Sequence, residues 1–178
     1  MVILHRMLPR SGFGLDTVCM ADETLDELDR SVLQIFSVEP GVGVLGASRR
    51  LGVARGTVQA RLDRLERRGV IRSWAPQVDP GALGYPVTAF CTLEIRQGRG
   101  HDPVVAHLAG IPEVLEAHTT TGSGDLLIRV VARDNADLQR VIDLVVDDRH
   151  VSRANTAIAL AERIAYRTEP LVEAATAR

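Results

Sequence analysis

Apolar positions early in the chain recur every three to four residues. Leu25, Leu28, Val32 and Phe36 share one helical face, widened by Leu33 and Ile35, which is the spacing of a helix that buries a single stripe. Thr24 and Glu27, just ahead of this run, fit a capping box in which each side chain satisfies the other's backbone N–H. Glu39-Pro40-Gly41 ends the helix. A second short helix fits Val44 to Leu51, stopped by Gly52. A third runs from about Ala54 to Arg68, with Val58, Leu62 and Leu65 inward and Gly69 supplying the positive-φ residue that closes it. Val70 to Pro76 then reads as a strand, and Val78 to Gly84 as a turn-rich linker.

Beyond Tyr85 the period changes. Val87, Ala89, Cys91, Leu93 and Ile95 alternate along a strand, and Pro103 to Ile111 is a short helix. Val114 to Thr121 is a second strand, running into Thr-Gly-Ser-Gly. Asp125 to Arg133 is a third, apolar on both faces at its centre. Ala136 to Val146 is helical through Leu138, Val141, Ile142 and Val145, and Thr156 to Ile164 is a last strand. The order β-α-β-β-α-β is that of the ferredoxin-like split unit, so the fold class is α+β. Such a sheet has helices on one face only, so a strand apolar on both faces needs a second cover. Another copy of the same sheet, giving a symmetric dimer, and the chain's own first domain are the two candidates. The resulting division is a leader (1–20), a helical first domain (21–76), a linker (77–86), a ferredoxin-like domain (87–168) and a tail (169–178). Two readings stand for the leader: Met20 is the natural start, or residues 1–20 are a disordered appendage.

Charge sharpens the picture. The net charge is −2, yet residues 45–75 hold eight arginines against Asp63 and Glu66, a local net of +6. Residues 1–44 hold three arginines and seven acids, and residues 76–178 ten arginines and fourteen acids. One positive segment between two acidic ones is either a solvated arginine-rich face or a footprint for a polyanion, of which phosphate backbones are the commonest. Cys19 and Cys91 belong to no metal-spaced cluster and read as reduced thiols. Histidines 5, 101, 107, 118 and 150 share no metal-ligand spacing. No phosphate loop, nucleophile elbow or Cys-x-x-Cys pair occurs, so no catalytic residue, metal or cofactor is expected. The opening lacks a signal-peptide core, and no apolar run approaches the ~20 residues of a membrane helix. A cytoplasmic protein without membrane partners is expected.

The positive segment coincides with the second and third helices and the Leu51-Gly52-Val53 turn between them, a helix-turn-helix. A recognition helix must enter a major groove about 12 Å wide with polar side chains at its N-terminal end, braced by the helix before it. The third helix carries Arg55, Thr57, Gln59, Arg61 and Arg64 outside its apolar face. Arg and Gln suit guanine and adenine edges. The expectation is that Arg55 and Gln59 read bases, while Thr57, Arg61 and Arg64 contact phosphates. Arg49 and Arg50, on the bracing helix, either touch phosphate or are solvated. Arg67, Arg68 and Arg72 either serve the helix dipole or touch phosphate.

At this point the chain resembles the Lrp/AsnC (feast/famine) family of transcription regulators over roughly residues 24–168. The resemblance rests on LDELDRSVLQIF, RRLGVARGTVQARLDRLERRGVI, VDPGALGYPV and IPEVLEAHTTTGSGDLLIRVVARDNADLQRVI, in the family's order and spacing. It implies a winged helix-turn-helix followed by a domain that dimerises through its sheet, with dimers assembling into octamers. It also implies an amino-acid effector bound between dimers, at Thr119, Thr121, Gly122, Ser123, Gly124 and Asp125. The glycines there serve either as a plain turn or to bring backbone N–H groups to a ligand carboxylate, with Asp125 for its ammonium. Three departures stand out: Ala54 where the family has a capping Ser, Ser48 where it has Ala, and Gly124 where it has a larger residue. Arg129, within a strand, is expected to pair with a carboxylate across the dimer rather than to clamp a ligand.

The expected function is therefore a sequence-specific regulator that binds double-stranded DNA and responds to an amino acid or related metabolite. The alternative is an enzyme of the same architecture, as in the sirohaem decarboxylases, which would do its chemistry in the second domain and have little use for a +6 helix. A sensor module acting on a protein partner would not need that arginine density either.

Overall fold

The computed structural model describes residues 25–96 and 101–175. Thr24, the leader with Cys19, and residues 97–100 and 176–178 lie outside them. The chain divides into two compact units, one up to Ser73 together with the residues from Arg167 on, the other Trp74–Tyr166.

In the first unit, α1 spans Glu27–Val38, α2 Gly43–Leu51 and α3 Arg55–Arg67. Helix α1 begins at a different box from the one expected. Asp26, with extended backbone (φ −75°, ψ 172°), is the N-cap; its Oδ1 accepts from Asp29 N at 2.8 Å, and Asp29 Oδ2 accepts from Asp26 N at 3.4 Å. Glu27 is thereby the first helical residue and not a capping partner. Val32, Leu33, Ala47, Val58, Leu62 and Leu65 form the core of this unit. A short C-terminal helix, α6 (Glu169–Ala174), packs on α1 through Val172. The expected tail is thus part of this unit, because Leu171 and Val172 follow Pro170 at a helix start.

Residues 70–76 form no strand among the described residues. The amides of Val70 and Ile71 are both spent on Leu65 O, at 2.9 and 3.2 Å, closing α3 after Gly69 (φ 71°). The first rungs of the expected strand are therefore taken by the helix end.

The second unit holds β1 (Val87–Ile95), α4 (Asp102–Leu108), β2 (Val114–Thr119), β3 (Leu126–Ala132), α5 (Asn135–Val146) and β4 (Val151–Ile158). The sheet order is β2-β3-β1-β4, all neighbours antiparallel. Ala89, Cys91, Leu93, Ile128 and Val130 pack inward with Val104, Leu108, Leu138, Val141 and Val145 of the two helices. Strand β4, Val151–Ile158, lies five to six residues earlier than the expected Thr156–Ile164. Its register runs from Ile95↔Val151 to Ala89↔Ile158, so β4 begins opposite the last residue of β1. The later apolar residues, Leu160 and Ile164, are exposed.

The opposite face of the sheet is partly covered within this unit. The linker, pinned by Asp79 Oδ1 accepting from Gly81 N at 2.9 Å and by Gly84 at φ 90°, encloses a cavity of about 280 Å³ with Leu115 and Val131. Val131 is only 3% exposed although its strand neighbours alternate inward. Phe90, further along that face, is exposed.

Candidate nucleic-acid interface and effector loop

The geometry of the helix-turn-helix comes from its caps. Gly52 ends α2 in the left-handed region (φ 64°), and both its N–H and that of Val53 fold back on Ser48 O. Three residues later α3 begins. Ser48, buried at the crossing of the helices, donates its hydroxyl to Leu45 O at 2.9 Å, so the small polar residue is satisfied by its own helix. Ala54 sits at the N-cap of α3 with extended backbone (φ −63°, ψ 145°) and no side chain to cap with.

Arg55, Thr57 and Gln59 project from the exposed side of the first turns of α3. Arg55 makes no ion pair among the described residues, and Gln59 Nε2 donates to Asp63 Oδ1 at 2.8 Å along the helix. Arg49 and Arg50 are exposed on α2; Arg50 pairs with Glu39 at 2.5 Å, and both partners are half exposed. Arg61 and Arg64, further along α3, are half-buried and paired with carboxylates of the α1 start. Arg61 Nη1 donates to Asp26 Oδ2 and, at 3.2 Å, to Asp29 Oδ1. Arg64 Nη2 donates to Asp29 Oδ2 and, at 3.5 Å, to Asp26 Oδ2. Asp29 has no exposed surface. Burial pushes the Asp26 carboxyl up, but the Asp29 amide and the Arg61 guanidinium outweigh it and hold the group below the usual carboxylate range. Hydrogen bonding to Asp26 raises Arg61 in turn. Charge counting along the sequence placed the two aspartates in the acidic segment 1–44 and did not pair them with Arg61 and Arg64. The available signal was Asp29, which sits one turn before Val32 and Leu33 on an otherwise apolar stripe.

In the second unit the loop from Thr119 to Asp125 is pinned along β1. Asp125 N donates to Leu93 O at 2.8 Å, Asp125 Oδ2 accepts from Ile95 N at 2.6 Å, and Thr120 N donates to Asp125 O at 3.0 Å. The Thr120 hydroxyl donates to Gly124 O at 3.2 Å. Gly124 is a contact glycine: a Cβ there would stand 2.2 Å from Thr92 Cγ2, which explains why no larger residue is present in this chain. Gly122 needs its freedom for another reason, a φ of 118°. Thr119, Thr121, Gly122 and Ser123 are exposed, while Gly124 and Asp125 are half-buried. One carboxylate oxygen of Asp125 is therefore committed to the backbone and the other is uncommitted in the described hydrogen bonds.

Arg129 reaches Glu116 of the adjacent strand, its register partner, at 3.7 Å within the same chain. Within the chain its carboxylate neighbour is thus a cross-strand one on the same face. Cys91 is a free thiol, raised by burial in the core. Among the described residues there is no cluster of metal-ligating side chains, and no helix is long and apolar enough to cross a membrane.

Residues 25–72 match the winged helix-turn-helix DNA-binding family, and residues 88–169 match the Lrp/AsnC ligand binding domain. An HTH-type transcriptional regulator of Pyrococcus abyssi is 36% identical over 118 residues, covering 66% of this chain and 74% of that protein. The structure of Escherichia coli AsnC superposes with a TM-score of 0.76 at 26% identity, over 83% of this chain and all of that one. A Neisseria meningitidis transcriptional regulator, solved as a complex with L-Met, shares the fold with a TM-score of 0.73 at 24% identity, over 83% of this chain and 99% of that one. The two matched domains, their order and the relatives agree: the chain belongs to the Lrp/AsnC family of transcription regulators, a helix-turn-helix DNA-binding domain followed by the family's ligand-binding domain.

Proposed function

We propose that α3 reads the major groove with Arg55 and Gln59, while Thr57, Arg49 and Arg50 contact phosphates. The carrying observation is the first turn of α3: Arg55, Thr57 and Gln59 are exposed together beside the Gly52 turn. Arg55 is held by no carboxylate among the described residues, and Gln59 and Arg50 make only exposed contacts that a base or phosphate can replace. The role is that of a regulator and not an enzyme, in keeping with relatives that are named transcription regulators. It acts in the cytoplasm, where its DNA is.

The ligand-binding domain takes an amino acid or related metabolite at the Thr119–Asp125 loop. Exposed hydroxyls and amides of Thr119, Thr121, Gly122 and Ser123 suit a carboxylate, and the second oxygen of Asp125 suits an ammonium. Gly124 contributes by letting the loop lie against β1. The L-Met complex of the Neisseria protein of the same fold supports the ligand class. Two copies pair across the sheet face that carries exposed Phe90, and dimers assemble further into octamers. Domain limits near residues 76 and 87 follow, with the last residues serving the first domain. Genome-wide mapping of bound DNA, with and without candidate amino acids, tests the reading: discrete bound sites whose occupancy changes with one amino acid support it, and uniform recovery under every condition refutes it.

A further inference from the structure

Helix α3 carries Arg55, Arg61, Arg64 and Arg67, and by charge alone all four would meet phosphates. The structure divides them. Two guanidinium groups, Arg61 and Arg64, sit over two carboxylates, Asp26 and Asp29, in a set of four ion pairs that bridges the start of α1 to the middle of α3. The local charge of that set is zero. Asp29 is fully buried, and a buried carboxylate is retained only with its charge matched. The Nε of Arg64 is buried with no hydrogen-bond partner among the described residues, so this guanidinium is turned inward at the cost of one of its own donors. Arg55, by contrast, is exposed and unpaired among the described residues.

We infer that Asp26 and Asp29 are positioning residues for the DNA-reading helix. By gripping Arg61 and Arg64 they fix the rotation of α3 about its axis, and they remove those two arginines from the set that neutralises phosphate. Generic attraction to DNA is thereby reduced, and a larger share of the binding falls to the side chains that read bases, because phosphate contacts position a protein without carrying sequence information. The inference rests on the reading of α3 as the DNA-contacting helix.

The test is a salt titration of full-length protein against a mixed-sequence duplex by fluorescence anisotropy. Each phosphate contact contributes about 0.9 to the log–log salt slope. Arg61→Gln and Arg64→Gln should keep the wild-type slope, whereas Arg49→Gln should flatten it by about 0.9 per subunit. Asp26→Asn keeps a good N-cap residue while releasing a guanidinium. It should steepen the slope by about 0.9 per subunit and raise affinity for the generic duplex several-fold, and Asp26→Asn/Arg61→Gln should return to the wild-type slope. A purely structural role for Asp26 would weaken binding through unfolding and would not steepen the slope. The inference is overturned if Arg61→Gln or Arg64→Gln flattens the slope, or if folded Asp26→Asn protein, checked by thermal melting, keeps the wild-type slope. A wild-type slope near zero would instead overturn the reading of α3 itself.

Discussion

Gly124 offers the sharpest test of how the effector loop is held. A Cβ added there would lie 2.2 Å from Thr92 Cγ2, with Leu93 O at 3.2 Å and Thr92 Cβ at 3.6 Å. Carbon atoms in good contact are about 3.5–4.0 Å apart, so something must yield by more than an ångström. The loop resists, because Asp125 N and its side chain tie it to Leu93 O at 2.8 Å and Ile95 N at 2.6 Å. Thr92 resists as well, since a β-branched side chain leaves its rotamer at a cost of order 1 kcal/mol. Gly124→Ala should therefore cost ~1–3 kcal/mol, the usual range for overpacking. For a unit of this size about 2 kcal/mol is roughly 8–16 °C in melting temperature. Thr92→Ser removes the offending methyl and leaves only the 3.2 and 3.6 Å contacts. The double variant should recover most of the loss, giving a coupling energy of ~1–2 kcal/mol, the size expected for residues in contact. Scanning calorimetry of the wild type, the two single variants and the double variant closes the cycle. Equal melting of Gly124→Ala and wild type, or strictly additive losses, would refute the account.

Three further outcomes follow from other parts of the chain. Ala54→Ser supplies the missing cap of α3 and should stabilise the protein by ~1 kcal/mol, read as a raised urea midpoint with an unchanged m-value. The carboxyl of Asp26 is held below its ordinary 3.8, and so are Asp137, chiefly by the Arg133 amide, and Asp148, chiefly by the His150 amide. A folded-state value below the unfolded one contributes stability that is fully present above the unfolded value and is lost as pH falls through the folded one. Stability should thus be flat in these groups above about pH 5 and fall below 3.8, less steeply in Asp26→Asn protein; parallel acid-unfolding curves for the two would count against the ion-pair set. At least one amino acid should raise the melting temperature, with the shift lost in Gly122→Val, whose φ of 118° excludes a branched side chain, and in Asp125→Asn, which keeps an acceptor for Ile95 N but no charge. Unliganded stability of both variants must be measured alongside, and calorimetry showing no binding of any of the twenty amino acids would remove the sensing role.

Local patterns carried most of the fold. The 3.6-residue spacing of Val58, Leu62 and Leu65 and the glycines at 52 and 69 placed α3 within a residue at each end. The alternation from Val87 to Ile95 gave β1 without error. Strand β4 was displaced because Ser152 and Arg153 are exposed, so its first half shows little apolar alternation, while its extent is set by pairing with β1. The start of α1 was displaced because Thr24/Glu27 and Asp26/Asp29 offer the same spacing, and only the tertiary arginines favour the second. That last point also governed the site. Asp26 and Asp29 lie some 35 positions from Arg61 and Arg64, and no local pattern reveals which charges of a basic helix are already matched. Asp125 is similar: its commitment to Ile95 N spans 30 positions and could not be read from the loop.

The most direct test of the central claim is in-vitro selection of duplexes from a randomised pool by the full-length protein, repeated with Arg55→Ala. The account predicts that wild-type protein enriches a defined motif with two related half-sites, as a symmetric dimer requires. Arg55→Ala should lose preference at one base pair of each half-site, at a cost of ~1–3 kcal/mol. Recovery of no enriched motif by the wild type, or an identical motif of equal strength with Arg55→Ala, would contradict it.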